Sequence, residues 1–168
     1  MSRLRRLAIW FFISALLLLC VLFLRNDDPS ERVLRDLGLT MIKSYTAAIR
    51  DSHSGFHQDG VLFIRYEILE NGDPSALLQE DGWSPFPLNR AAACLLYGGS
   101  IEGHYYGSYI DDIPLVKNGF WYFLDRQNPK TVYTEADIRA VYHRHSTNFR
   151  IAVWDTDQGV LYYAAYDS

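Results

Sequence analysis

Two imidazoles and two carboxylates fall within nine residues, in the stretch Asp51-Ser-His53-Ser-Gly55-Phe56-His57-Gln-Asp59-Gly60. Histidine and carboxylate are ordinary ligands for zinc and similar ions, and a loop holding two glycines can bend until four side chains converge. Outside the cell the same imidazoles would also titrate near neutral pH, as acid–base groups must. A plainer reading competes. In a hairpin loop Asp51 and Asp59 would bond their own backbone, and Gly55 and Gly60 would supply positive φ. The histidines would then be surface or packing residues. The i,i+4 spacing of His53 and His57 aligns two ligands only on a helix, and the glycines argue against one.

His143-Arg144-His145 is the second cluster. It follows the expected end of a helix, where a cation interacts well with the helix dipole. In an extended chain His143 and His145 point the same way. They could therefore face Asp51, His53, His57 and Asp59 across a sheet and complete a polar or metal site. No cofactor is firmly implied; a divalent metal is the ligand class these six residues would take.

Other motifs fall short of their chemistry. Asp155-Thr-Asp157-Gln-Gly159 opens like a calcium loop. An EF-hand starting at Asp155 needs Gly at its sixth position and Glu at its twelfth, and Val160 and Tyr166 stand there. The stretch reads as a hairpin turn. In Gly98-Gly99-Ser100-Ile101-Glu102-Gly103 the last glycine falls one residue late for a nucleophile elbow. Asp111-Asp112 reads as an exposed acidic pair. Neither a phosphate loop nor a dinucleotide fingerprint occurs.

The aromatic load is the third feature. The 12 tyrosines include Tyr105-Tyr106, Tyr109, Tyr162-Tyr163 and Tyr166. Successive strand residues point to opposite faces, so some of these rings should be exposed. An exposed tyrosine offers a flat apolar face and a hydrogen-bonding tip, suited to sugars or protein partners. Tyr105, Tyr106 and Tyr109 form the candidate binding surface; ordinary sheet packing is the alternative.

These residues need elements to hold them. Asp28-Pro29-Ser30-Glu31 opens a short helix that Gly38 stops, expected where the domain meets a membrane. A first strand lies within residues 40–50, where a helix is the alternative. In residues 61–68 Leu62, Ile64, Tyr66 and Ile68 share one face, with Arg65 and Glu67 on the other. Asn71-Gly72-Asp73-Pro74 turns into a short helix ending at Gln79. Residues 83–87 read as an extended link, and residues 91–97 as a helix ended by Gly98-Gly99. Residues 99–118 are weakly patterned, and a loop of that length is often functional or hides structure. Residues 120–124 read as a strand buried on both faces. Thr134 and Asp137 cap a helix carrying Ile138, Val141 and Tyr142 on one side. Phe149, Ile151 and Val153 alternate on a strand that returns through residues 160–166.

Residues 7–24 are an unbroken apolar run whose one polar member is Ser14. As a helix it would span about 27 Å, close to the hydrocarbon thickness of a bilayer. Arg3, Arg5 and Arg6 precede it, and Asp27 and Asp28 follow it closely. The positive-inside bias then sets residues 1–6 in the cytoplasm and residues 25–168 outside, as a single-pass protein of the inner or plasma membrane. A cleaved signal would have a shorter core and a small-x-small site, and Leu24-Arg25-Asn26-Asp27 offers none. A lipoprotein signal ending at Cys20 would carry a small residue before it, where Leu19 stands, and the apolar run continues past it.

From residue 26 onward 12 Lys and Arg face 20 Asp and Glu, a net charge of −8. That sign repels phosphate backbones, so nucleic acid is not an expected partner. Cys20 and Cys94 cannot pair if one lies in lipid; Cys94, in Ala-Ala-Ala-Cys-Leu-Leu, reads as a small buried hydrophobe.

The loop Asp51-x-His53-x-Gly55-Phe56-His57-x-Asp59-Gly60 is similar to one in a group of small, uncharacterised bacterial membrane-associated proteins. So are Gly119-Phe-Trp-Tyr-Phe-Leu-Asp125-Arg126 and Asn148-Phe149…Asp155-Thr156-Asp157…Leu161-Tyr162-Tyr163. The resemblance covers about two thirds of the domain. It implies a bacterial origin and no particular chemistry.

The sequence thus predicts an α+β domain, a mainly antiparallel sheet of about five strands with three or four short helices, behind one transmembrane helix. No complete catalytic set can be assembled. The expected function is that of a membrane-anchored, non-enzymatic interaction module with a protein or glycan partner. The alternative is a metal-binding protein or metal-dependent enzyme built on the His53/His57 loop.

Overall fold

The computed structural model describes residues 28–53, 59–70 and 74–168. The expected anchor at residues 7–24, His57 and the turn at Asn71-Gly72-Asp73 lie outside the described residues. Among the described residues no helix is long and apolar enough to cross a membrane.

The chain divides into two compact units, Met1–Val33 and Leu34–Ser168. The described part of the first is the opening of helix α1 (Pro29–Asp36). Asp28 Oδ1 accepts from the Ser30 N–H at 2.9 Å, satisfying one of the amides that a helix start leaves open. In the second unit α1 stops as expected. Gly38 takes φ 73°, its N–H donates to Arg35 C=O, and the Leu39 N–H reaches back to Leu34 C=O. This pair of bonds is the Schellman pattern, and glycine enters it without the Cβ clash of other residues.

The remaining elements are β1 (Ser44–Asp51), β2 (Gly60–Glu70), a 3-10 turn (Pro74–Gln79) and β3 (Trp83–Pro85). Then come α2 (Arg90–Tyr97), β4 (Gly99–Ile101), β5 (His104–Tyr106) and β6 (Gly119–Asp125). Helix α3 (Glu135–Arg139) runs into a 3-10 turn (Ala140–His143), and β7 (Phe149–Asp155) and β8 (Val160–Asp167) close the chain. Among the described residues the result is a six-stranded antiparallel sheet in the order β1-β2-β8-β7-β6-β3, a separate β4–β5 hairpin and three short helices.

The α+β class therefore stands, with more strands than the five expected. The additions are short. Residues 83–87, read as a link, supply β3, whose Trp83 and Ser84 pair with Tyr122 and Trp121 of β6. Residues 99–118, read as unpatterned, contain the β4–β5 hairpin. Three-residue strands are too brief for alternation to declare itself.

One face of the sheet packs Phe63, Trp121, Phe123, Phe149, Ile151, Val153 and Tyr162 against Leu95 of α2, Ile138 of α3, and Val141. Cys94 is buried there as a free thiol. On the other face Ile64, Tyr66, Ala152, Trp154, Leu161 and Tyr163 are buried as well. The segment after α1 is fastened on that side, because the Trp83 indole donates to Leu37 C=O at 2.9 Å and Arg150 pairs with Asp36. Burial on both faces explains why β7 and β8 read as near-continuous apolar runs. In β6 one face is buried at Trp121, Phe123 and Asp125, while Phe120, Tyr122 and Leu124 are half-buried. The expected two-sided burial of that strand is therefore incomplete.

Candidate functional site

The β1–β2 hairpin carries Asp51 and His53 to one end of the sheet. Asp51 opposes Leu62, and Ser52 N–H donates to Val61 C=O, so the ladder runs to the last residue before His53. Asp51 Oδ1 accepts from the His53 backbone N–H at 3.0 Å, as the hairpin reading requires. The same oxygen lies 2.5 Å from His53 Nδ1. On its other side His53 Nε2 is 3.3 Å from Asp167 Oδ2. Asp167 stands opposite Gly60 at the end of β8 and also receives the Arg126 guanidinium.

A ring with a carboxylate at each nitrogen favours the imidazolium, since only the charged form donates from both. The His53 pKa is accordingly raised. The Asp51 hydrogen bond is the largest cause, partial burial opposes it, and Asp167 adds to it. The Asp51 carboxyl is lowered by the His53 backbone N–H and then by its ring. The same end of the sheet holds a second polar knot. Burial pushes the Asp125 carboxyl up, but Arg144 and the N–H groups of Gln127 and Asn128 outweigh it and hold its pKa low.

The structure does not gather the other sequence-derived candidates here. Asp59 is exposed and has no described contact with Asp51 or His53. His143 and His145 are both exposed. His143 Nε2 lies 3.9 Å from Glu102 Oε2, and Glu102 also pairs with Arg139. His57 lies outside the described residues. Among the described residues there is no group of three or more His, Cys, Asp or Glu side chains placed to hold a metal ion. Both His53 nitrogens already face carboxylates, so a metal would have to displace one of them.

The tyrosine surface is more open. Tyr105 is 82% exposed on the β4–β5 hairpin. Its neighbour Tyr106 points the other way, onto Tyr142, with ring centroids 4.6 Å apart. Tyr109 sits edge-on to Tyr142, Phe149 and Tyr166, and Tyr166 stacks on Phe149. Tyr106 and Tyr109 are thus half-buried, with one side in the core and the other on the surface. Together with Gly107, Ser108 and Tyr166 they line an open depression of about 280 Å³.

Sequence reasoning missed Asp167, Arg126 and Tyr166 as members of these groups. Asp167 and Tyr166 arrive on β8 and Arg126 just past the end of β6, all through long-range strand pairing, and no local pattern marks which strands will join. Compared with protein-family models, with curated proteins and with solved structures, the chain matches none.

Proposed function

We propose that this is a bacterial, membrane-anchored interaction module whose α+β domain faces the cell exterior or periplasm. One observation carries the binding role: the Tyr106–Tyr109–Tyr166 depression is open to solvent although its rings are rooted in the core. Rigid aromatic side chains that keep one free side lose little entropy when a partner covers them. The apolar run at residues 7–24 and the charge asymmetry around it support the anchor and its direction. The domain charge of −8 argues against nucleic acid and anionic lipid as ligands.

The test is site-specific photo-crosslinking in membranes holding the full chain. A benzoylphenylalanine replaces Tyr105 or His104 in turn, with exposed Thr131 as the control position. A discrete adduct from the hairpin positions and none from the control is the expected result. Equal or absent labelling at all three positions would remove the case for this surface.

A further inference from the structure

We propose that the tyrosine depression takes a single neutral sugar ring, an inference that rests on the binding role argued above. Four observations lead there. The first is the state of the hydroxyls. Elsewhere on this face the tyrosine hydroxyls are used internally. Tyr142 donates to Ala91 C=O, Tyr97 to Pro114 C=O, and Tyr133 accepts from the Asp125 and Lys130 N–H groups. Among the described residues the hydroxyls of Tyr106, Tyr109 and Tyr166 have no such partner, and none of them is a buried orphan. They meet solvent at the rim of a hollow of mixed polar and apolar lining.

The second observation is Gly107. Its φ does not lie in the left-handed region, and a Cβ built there would meet nothing within 4 Å. Neither backbone conformation nor packing calls for glycine at this position. What glycine does provide is bare main chain in the wall of the depression, where a ligand can approach closely.

The third is charge. No ionised side chain lines the hollow. The nearest acids along the chain are engaged: Asp111 by the Ser108 hydroxyl, Asp112 by Arg50, and Asp167 by Arg126 and His53. An anionic ligand would find no cation in the lining. The fourth is size. Pockets for small ligands begin at roughly 300 Å³, so this one accommodates one ring and leaves the rest of a chain outside. Tyrosine ring carbon beside phenolic hydroxyls and bare main chain matches the mixed C–H and hydroxyl surface of a pyranose.

The test uses the full chain in nanodiscs and calorimetric titration with two neutral probes, cellotetraose and tetra-N-acetylchitotetraose, beside the anionic trigalacturonate. Saturable binding of at least one neutral probe and none of the anion is expected. Gly107→Leu should fill the hollow without disturbing its surroundings, and Tyr166→Phe should remove one hydroxyl while keeping the ring. Affinity should fall about tenfold or more in the first and by less in the second. Binding unchanged in Gly107→Leu would overturn the site, and binding of neither neutral probe would overturn the ligand class. Crosslinking from Tyr105 separates the two levels. A protein adduct without sugar binding leaves the interaction role and sinks the sugar, whereas neither signal sinks both.

Discussion

His53 shows how far one side chain's chemistry depends on distant sequence. Asp51, two residues before it, is a local partner, and the aspartate-to-backbone bond was legible from the hairpin composition. Asp167 is 114 residues away in the chain and meets His53 through strand pairing. The sequence offered His57, Asp59, His143 and His145 as companions instead, because spacing and residue type are the signals it carries. The bracketed ring makes a pH prediction. A histidine raised above its ordinary value of 6.5 contributes stability that is complete below that value and is lost as pH climbs through the folded pKa. Asp51, lowered from 3.8, contributes above that value and loses its share as pH falls through the folded pKa. The clasp is therefore strongest in weak acid. Thermal midpoints of the full chain in micelles should decline from about pH 6 to about pH 8, and His53→Gln should flatten that decline. The difference should stay within about 1 kcal/mol, since both groups are partly exposed. Parallel curves for the two proteins would show that folding does not raise the His53 pKa.

At the scale of elements, signals held within one turn of chain were readable and those made by pairing were not. Asp28 and Gly38 bound α1, and Thr134 and Asp137 form a complete capping box at α3, as composition indicated. The β7–β8 hairpin was also plain, with Asp155 accepting from the Asp157 and Gln158 N–H groups in its turn. Strand β3 and the β4–β5 hairpin were hidden, because each strand holds three residues and takes its shape from neighbours. Gly119 is where such a neighbour constrains the chain most tightly. It opens β6 at φ 142°, and a Cβ there would stand 1.8 Å from the Trp154 carbonyl oxygen of β7. Gly119→Ala should therefore cost more than about 2 kcal/mol, through backbone strain and a displaced β6–β7 ladder. Urea unfolding followed by tryptophan fluorescence measures this, and a midpoint equal to that of the unmutated chain would mean that β6 shifts freely.

For the whole molecule, the apolar run at residues 7–24 and its flanking charges support the proposed location, and the tyrosine hollow supports the proposed binding role. The tyrosines themselves were legible as candidates. Their arrangement was not, since Tyr106 and Tyr109 gain their footing from Tyr142, Phe149 and Tyr166. Among the described residues Tyr105 is the most exposed of the large apolar side chains, and the thiol of Cys94 is buried. A Tyr105→Cys variant of the full chain therefore offers a reporter of both exposure and side. Intact cells, with any outer membrane permeabilised, are treated with a membrane-impermeant maleimide. The account predicts labelling at position 105 before lysis and none in the unmutated chain. Labelling that appears only after the cells are broken would place the domain in the cytoplasm and contradict the account at its centre.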